Sequence, residues 1–540
     1  MNQAVSARAK AKGGELPLTP VKGMPLRTSR GAVMLVVAMA CVAVFEIAVE
    51  TAVHGEMGSQ TWVFTGAACA AMAGAWGLSR WLAPYADQLI VLAAAILTGL
   101  GVVFQRRLTL TDFNDPLPAD AGPFADAGGR QLIFALVGIA FFALVLMLFK
   151  DFRTLRGYAY ILGFGGVILA ALPGLLPSSI SERNGAKNWI IVGPVSVQPS
   201  EFAKIALLVF FAYYLYRHRD VLSVAGKKAM GIQFPRLRDF GPIIIMWVAS
   251  MGILVLENDL GSSLLFFGLF MAMLYTATRR VSWIIIGLLL FVGGCVAIYP
   301  FFEHLQLRVQ IWLDPFNPAY VNDQSYQLVQ GLIGLGSGGL IGAGPGGGEP
   351  NIIPFAESDF ILAALGEEIG LAGLIAVFLL YGILVERAFK TGVMQRDGFG
   401  KLVVAGLGFS FAFQIFVVAG GVSGLIPLTG LNTPFLAAGG SSMLASWIMI
   451  ALLVRISDDA RRPWNPSFGL QKIQPPPEWF AAHGDRPVAG VREEADMAPA
   501  GDQETQLILA QETGQIVSED VSPVTAEPDV VDEPDDEEEK

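Results

Sequence analysis

The chain has 540 residues, of which 53 % are hydrophobic and only 15 % charged, and its mean hydropathy is +0.54. A soluble domain carries about 25 % charged residues, so the composition describes an integral membrane protein and excludes an ordinary soluble enzyme. The formal net charge of −11 argues against nucleic acid as the main partner.

The acidity is local. Residues 481–540 hold 18 Asp and Glu against 3 Lys and Arg, while residues 1–480 carry a net +4. The Pro-, Glu- and Asp-rich stretch from about Pro475 reads as a disordered cytoplasmic tail, residues 463–540. Cys41, Cys69 and Cys295 all lie in apolar runs, with no CxxC and no Cys/His cluster, so neither a disulfide framework nor a zinc site is expected.

A spanning helix needs about 20 mostly apolar residues. Behind a cytoplasmic tail, residues 1–31, the first apolar run begins near Ala32 and is longer than a signal-peptide core, so it reads as a retained anchor. Twelve spans follow in order: 32–50, 60–78, 88–104, 131–149, 157–176, 201–216, 240–256, 260–278, 282–299, 359–385, 401–421 and 433–454. The expected fold is an all-α polytopic membrane protein. Alternate connections carry 25 Lys and Arg, the other face only six: Arg106, Arg107, Arg130, Arg183, Lys187 and Arg308. Basic connections stay inside, so both termini are expected in the cytoplasm. The outer face then holds long loops at 105–130, 177–200 and 300–357, the last between spans nine and ten.

Ionisable groups in or beside spans are costly, which makes them site candidates. Asn184 to Trp189 precedes Gln198-Pro199-Ser200-Glu201, with Lys204 one turn on. Ser200 can cap its helix, and Glu201 and Lys204 share a face. The pair is either a structural ion pair or one wall of a polar cavity. Glu257-Asn258-Asp259 forms a tight turn, where Asp259 is either a helix cap or a site carboxylate. Arg308 to Pro315 and Tyr326-Gln327 lead into residues 331–348, which contain ten glycines. These allow close backbone approach to a ligand, or simple loop flexibility; the stretch is no Walker A loop. Glu357-Ser358-Asp359 opens span ten, where spacing alone makes Asp359 a helix cap. Glu367 and Glu368 follow, pointing about 100° apart. These groups suit a polar cavity for an anionic lipid-linked substrate, and equally a proton-coupled transporter.

In this order the motifs resemble the SEDS family (shape, elongation, division and sporulation proteins). The matching text is Asn184–Trp189, Gln198–Glu201 with Lys204, Asp259–Gly261, Arg308 with Trp312–Pro315, and Tyr326-Gln327. It continues through Gly336–Leu340, Ser358–Phe360, Gly366–Glu368, Gly421–Gly430 and Gly439–Ser441. The resemblance runs from the third span to Arg462, so residues 87–462 are expected to form the catalytic core and 32–86 to add two spans before it. Those extra spans, with Arg455–Arg462, look like the actinobacterial RodA-type branch; the FtsW-type branch is the near neighbour.

The resemblance implies a peptidoglycan glycosyltransferase of the plasma membrane that polymerises lipid II at the outer face during elongation or division. It further implies a class B penicillin-binding protein as partner. The family's required aspartate falls on Asp359, and further family site positions fall on Glu201 and Asp259. Lys187, Lys204, Arg308 and Glu367 complete the expected substrate-binding set. Two positions depart from the family: Lys187-Asn188 replaces an Arg commonly found before Trp189, and Ala437-Ala438 replaces a common Ser-Tyr. In the mechanism expected, Asp359 is general base for an inverting transfer and stays ionised through a helix N-terminus. Arg308, Lys187 or a divalent cation, Mg or Mn, stabilises the leaving diphosphate. The rival readings are a lipid II flippase and a non-catalytic scaffold.

Overall fold

The computed structural model describes residues 28–462, except 111–121, 123, 183–184, 194, 224–227, 230–231, 234–240 and 258. The expected N-terminal and acidic tails, Arg183 and Asn184 therefore lie outside the described residues. So does the separate unit Trp464–Lys540.

The architecture is all-α. Helices α1 (Thr28–His54), α2 (Ser59–Leu82), α3 (Gln88–Leu110), α4 (Ala127–Leu148) and α5 (Leu155–Leu175) come first. A short hairpin, β1 (Ile190–Val192) and β2 (Val195–Val197), precedes α6 (Pro199–Ser223). A second hairpin, β3 (Lys228–Ala229) and β4 (Ile232–Gln233), leads to α7 (Gly241–Glu257), α8 (Leu260–Thr278) and α9 (Val281–Ile298). Then come α10 (Glu303–Leu313), α11 (Tyr326–Gly338), α12 (Ile361–Met394), α13 (Gly398–Val422) and α14 (Gly440–Arg461).

Each expected span overlaps a helix, the last of them displaced from 433–454 to Gly440–Arg461, and ten helices among the described residues are long and apolar enough to cross a membrane. The other two are α6, which carries Glu201 and Lys204, and the 17-residue α7. Caps fix several ends: Asp126 accepts from the Gly129 N–H at the start of α4, and Asp397 from Gly400 at the start of α13.

Helices α3 and α14 are the most enclosed, with 83 % of their apolar windows buried, whereas α1, α5 and α9 are only 28 % buried. The first pair is therefore the centre and the second group faces lipid, presenting Val36, Phe164 and Leu289 outward. In lipid, close packing rather than water exclusion joins helices. Trp447 of α14 is wholly buried, edge-on to Phe142 of α4 at 5.7 Å between ring centres. One end of the bundle is an ionic lattice: Asp87, just before α3, meets Arg461 and Arg387, and Arg153 meets Asp459 at 3.0 Å. The Tyr85 N–H donates to Asp458 at 2.9 Å.

Three expectations need correction. The stretch 300–357 is not one loop, because it contains α10 and α11. The glycines of α11 serve helix packing: a Cβ on Gly338 would strike the Gly366 carbonyl oxygen. Span ten is broken at Gly370 (φ 64°, ψ −174°), which separates a half-helix, 361–369, from the long segment 371–394. Glycine is required there by the left-handed φ. The broken ends are satisfied by the glycine-rich loop, since Ala343 N–H donates to Glu367 O at 2.9 Å and Leu371 N–H to Gly339 O at 2.9 Å. Finally, Arg106 and Arg107 belong to α3 and are buried, rather than lying in an outer loop.

Candidate active site

At the end of the bundle opposite the Asp87 lattice, three chain segments bring charge together. Asp259 caps α8. Its Oδ1 accepts from the N–H groups of Gly261 (2.9 Å) and Ser262 (3.2 Å), and its Oδ2 from the Ser262 hydroxyl (2.8 Å) and Asn188 Nδ2 (3.0 Å). Of the two roles the sequence leaves open for Asp259, the helix cap is the one seen. The Lys187 N–H donates to Glu257 O at 2.8 Å, which holds the Lys187–Trp189 strand beside this turn. Lys187 itself is half-buried.

Arg308 rises from α10. Its Nη1 donates to the Leu428 carbonyl at 2.7 Å, and Trp312 Nε1, one turn on, donates to Gly424 O at 2.9 Å. The segment 421–430 is therefore the platform that seats α10. Arg308 lies within the electrostatic reach of both Asp259 and Asp359, carboxylates from distant parts of the chain. Burial pulls the Arg308 pKa down, and these two carboxylates oppose that fall.

Asp359 is half-buried in the turn before α12. It does not cap the helix: the cap position is Phe360, with no side-chain hydrogen bond. Its carboxylate takes the Ser358 hydroxyl at 3.2 Å. Burial pushes its pKa up and neighbouring Glu357 adds to the rise, outweighing its own amide, Ser358 and Arg308. Desolvation is thus the largest influence on this carboxylate. The turn is pinned by Glu357, whose carbonyl accepts from Ala438 N–H (2.6 Å) and Gln105 Nε2 (2.7 Å).

The remaining predicted residues lie in supporting positions. Glu201 and Lys204 form a buried pair at 2.8 Å. Lys204 also donates to Gln414 Oε1 (3.0 Å), whose amide donates to Asn432 O (2.8 Å). This network joins α6, α13 and the segment before α14. Ser200 does not cap α6, which begins one residue earlier at Pro199. Glu367 Oε1 accepts the Glu349 N–H at 2.8 Å and so holds the glycine-rich loop. Glu368 is buried against Arg107 at 2.7 Å and accepts the Gly346 N–H at 3.1 Å.

Gln105, Arg106 and Arg107 escape a reading by motif. Their signal is Glu46 and Glu50, two acids one turn apart in an otherwise apolar run. Beside the site, an apolar cavity of about 470 Å³ lies between α11, α12 and α13, lined by Leu335, Leu362, Leu374, Phe378 and Phe416 among others. Among the described residues no group of three or more His, Cys, Asp or Glu is placed to hold a metal ion.

Residues 87–462 match the family described as "Cell cycle protein", FtsW/RodA/SpoVE. The chain belongs to the FtsW/RodA/SpoVE family. It is 45 % identical over 442 residues to a protein of Mycobacterium tuberculosis named peptidoglycan glycosyltransferase RodA, covering 81 % of this chain and 92 % of that one. The namesake of Mycobacterium leprae is 46 % identical over 384 residues, 71 % of this chain and 80 % of that one. A probable peptidoglycan glycosyltransferase FtsW of Geobacter metallireducens is 31 % identical, over 61 % of this chain and 84 % of that one. A solved structure described as "Structural coordination of polymerization and crosslinking by a peptidoglycan synthase complex" superposes with TM-score 0.53 at 24 % identity. It covers 69 % of this chain and 98 % of that one, so the two share a fold. The match begins just before α3, so α1 and α2 stand outside the family core.

Proposed function

We propose that this protein is a RodA-type peptidoglycan glycosyltransferase that polymerises lipid II at the extracytoplasmic face of the plasma membrane. The observation that carries this reading is that Arg308, bound to Leu428 O, lies within the electrostatic reach of both Asp359 and Asp259, in a chain 45 % identical to the mycobacterial glycosyltransferases. The basic residues Arg153, Arg387, Arg455, Arg461 and Arg462 gather at the opposite end, which supports an outward-facing site.

The transfer is a single in-line displacement. The acceptor 4-hydroxyl attacks the anomeric carbon, the bond to the diphosphate breaks, and the configuration inverts. Asp359 takes the hydroxyl proton. Its raised pKa makes it a stronger base than an ordinary aspartate. The diphosphate leaves with its electron pair and needs no proton, since Arg308 meets the growing charge. Lys187, half-buried in the strand tied to Glu257, supplies a second positive charge. The cavity between α11, α12 and α13 accepts part of a polyprenyl chain, as its apolar lining suits hydrocarbon.

Asp259 already holds four donors, so Asp359 is the carboxylate of the pair with room for a cation. A Mg or Mn ion, if bound, would be held at Asp359 and would supply further charge neutralisation for the diphosphate. A class B penicillin-binding protein is the partner that crosslinks the product.

The test is to supply the purified protein and its partner with lipid II and measure product length. Glycan chains support the polymerase; lipid II moved across a bilayer with no new bond supports the flippase instead.

A further inference from the structure

Three consecutive side chains at the site end of α3 point in three directions, as residues about 100° apart on a helix must. Gln105 Nε2 donates to Glu357 O (2.7 Å) and Leu436 O (3.3 Å). Glu357 lies two residues before Asp359. Arg107 pairs with Glu368 (2.7 Å) and donates to Gly348 O (2.8 Å), gripping the half-helix and the glycine-rich loop on the other side of Asp359. Between them, Arg106 turns away from the site. It meets Glu46 of α1 at 3.0 Å, Glu50 of α1 at 3.5 Å and Asp126 at 3.2 Å. Its guanidinium carbon lies 4.6 Å from the ring centre of Phe64 on α2. Arg106 is 4 % exposed and Glu46 fully buried, so this is a dry cluster rather than a solvated surface pair.

The additional helices reach the site loop a second way. Gly346, whose N–H bonds Glu368, has φ 79° and backs onto α1, where a Cβ would lie 2.7 Å from Ala52 Cβ and 3.0 Å from Val49 O. A buried ion pair adds little stability beyond apolar packing of equal volume. Its directional hold on a helix end is what apolar packing cannot supply.

We propose that α1 and α2 are a positioning element for the catalytic turn: Glu46 and Glu50 hold Arg106, which fixes the end of α3, and Gln105 and Arg107 then hold the chain on both sides of Asp359. This rests on the glycosyltransferase reading above. None of these residues touches substrate. A shift of about 1 Å at a catalytic group costs on the order of a hundredfold in rate, so loosening the clamp acts on turnover.

The experiment uses the full chain with its partner and purified lipid II, comparing the parent with Glu46→Gln/Glu50→Gln. Asp126 stays to pair Arg106 in that variant. The expected result is kcat lower by about tenfold to a hundredfold, with KM for lipid II and the thermal midpoint unchanged. Ala52→Leu keeps every charge, presses on Gly346, and is expected to lower kcat in the same way. It decides the matter by the same criteria if the double variant does not fold. Parental kcat in these variants overturns the proposal, as does a fall in kcat that tracks a fall in the midpoint. A parent that makes no glycan overturns the underlying reading instead, so the two failures are distinguishable.

Discussion

Replacing Arg308 with Gln probes the pairing of charge with base in one substitution. The guanidinium is held by the Leu428 carbonyl at 2.7 Å and lies within the electrostatic reach of both Asp259 and Asp359. Two effects follow. An opposite charge close to a carboxylate lowers its pKa by about one to three pH units. Burial dominates Asp359 and Arg308 is the smallest of its influences, so its loss raises the Asp359 pKa further. The sign is fixed: Asp359 accepts a proton only when ionised, so activity falls as pH drops through its pKa. In Arg308→Gln that acidic limb moves to higher pH. The second effect is loss of a positive group facing the departing diphosphate. One preorganised donor at developing charge contributes about 3–4 kcal/mol, or roughly a hundredfold to a thousandfold in kcat. The assay is the initial rate of lipid II polymerisation across pH about 5 to 9, a window that brackets the rise expected for a buried carboxyl. A limb that stays fixed or moves to lower pH refutes the coupling of Arg308 to Asp359, and undiminished kcat at the optimum refutes its role at the diphosphate.

Other outcomes follow from the same geometry. Asp359→Asn removes a charge that burial opposes; because the native pKa is raised, that charge costs stability increasingly as pH rises through it. The thermal midpoint of this variant at neutral pH should equal or exceed the parent's, and a clear fall would show that the carboxylate is structural. Lys204→Met strands buried Glu201 and Gln414 and should cost about 3–5 kcal/mol in a denaturation measurement, with Glu201→Gln in the same chain recovering part of it. Gly338→Ala drives a methyl into the Gly366 carbonyl and should cost about 1–3 kcal/mol, read as a lower melting midpoint, whereas Gly336→Ala, which meets nothing, should not.

Long apolar runs separated by alternately basic connections made the polytopic all-α fold legible, because lipid imposes length and charge rules on each span separately. The break at Gly370 was hidden by the same uniformity: Ile361 to Leu380 is continuously apolar apart from Glu367 and Glu368, and only the backbone reveals that a left-handed glycine splits it. Helix α11 was masked because its glycines read as loop, although they are the surface on which the half-helix packs. Within the site, Glu201 and Lys204 were readable as a pair from i, i+3 spacing. Asp259, Arg308 and Asp359 were grouped into one polar cavity by motif and membrane side, but the contacts that seat them, such as Arg308 on Leu428 O, were not legible, since about fifty residues separate each from the next. The Arg106 cluster went unread for a related reason: its partners Glu46 and Glu50 lie outside the family core, so no motif carries them.

The central claim is that Asp359 removes the proton from the acceptor sugar, and the most direct measurement compares parent and Asp359→Asn in the purified complex with lipid II. Both should bind the lipid equally, while the variant's polymerisation rate falls by at least about a hundredfold. Glycan chains formed by Asp359→Asn at the parental rate would contradict the account.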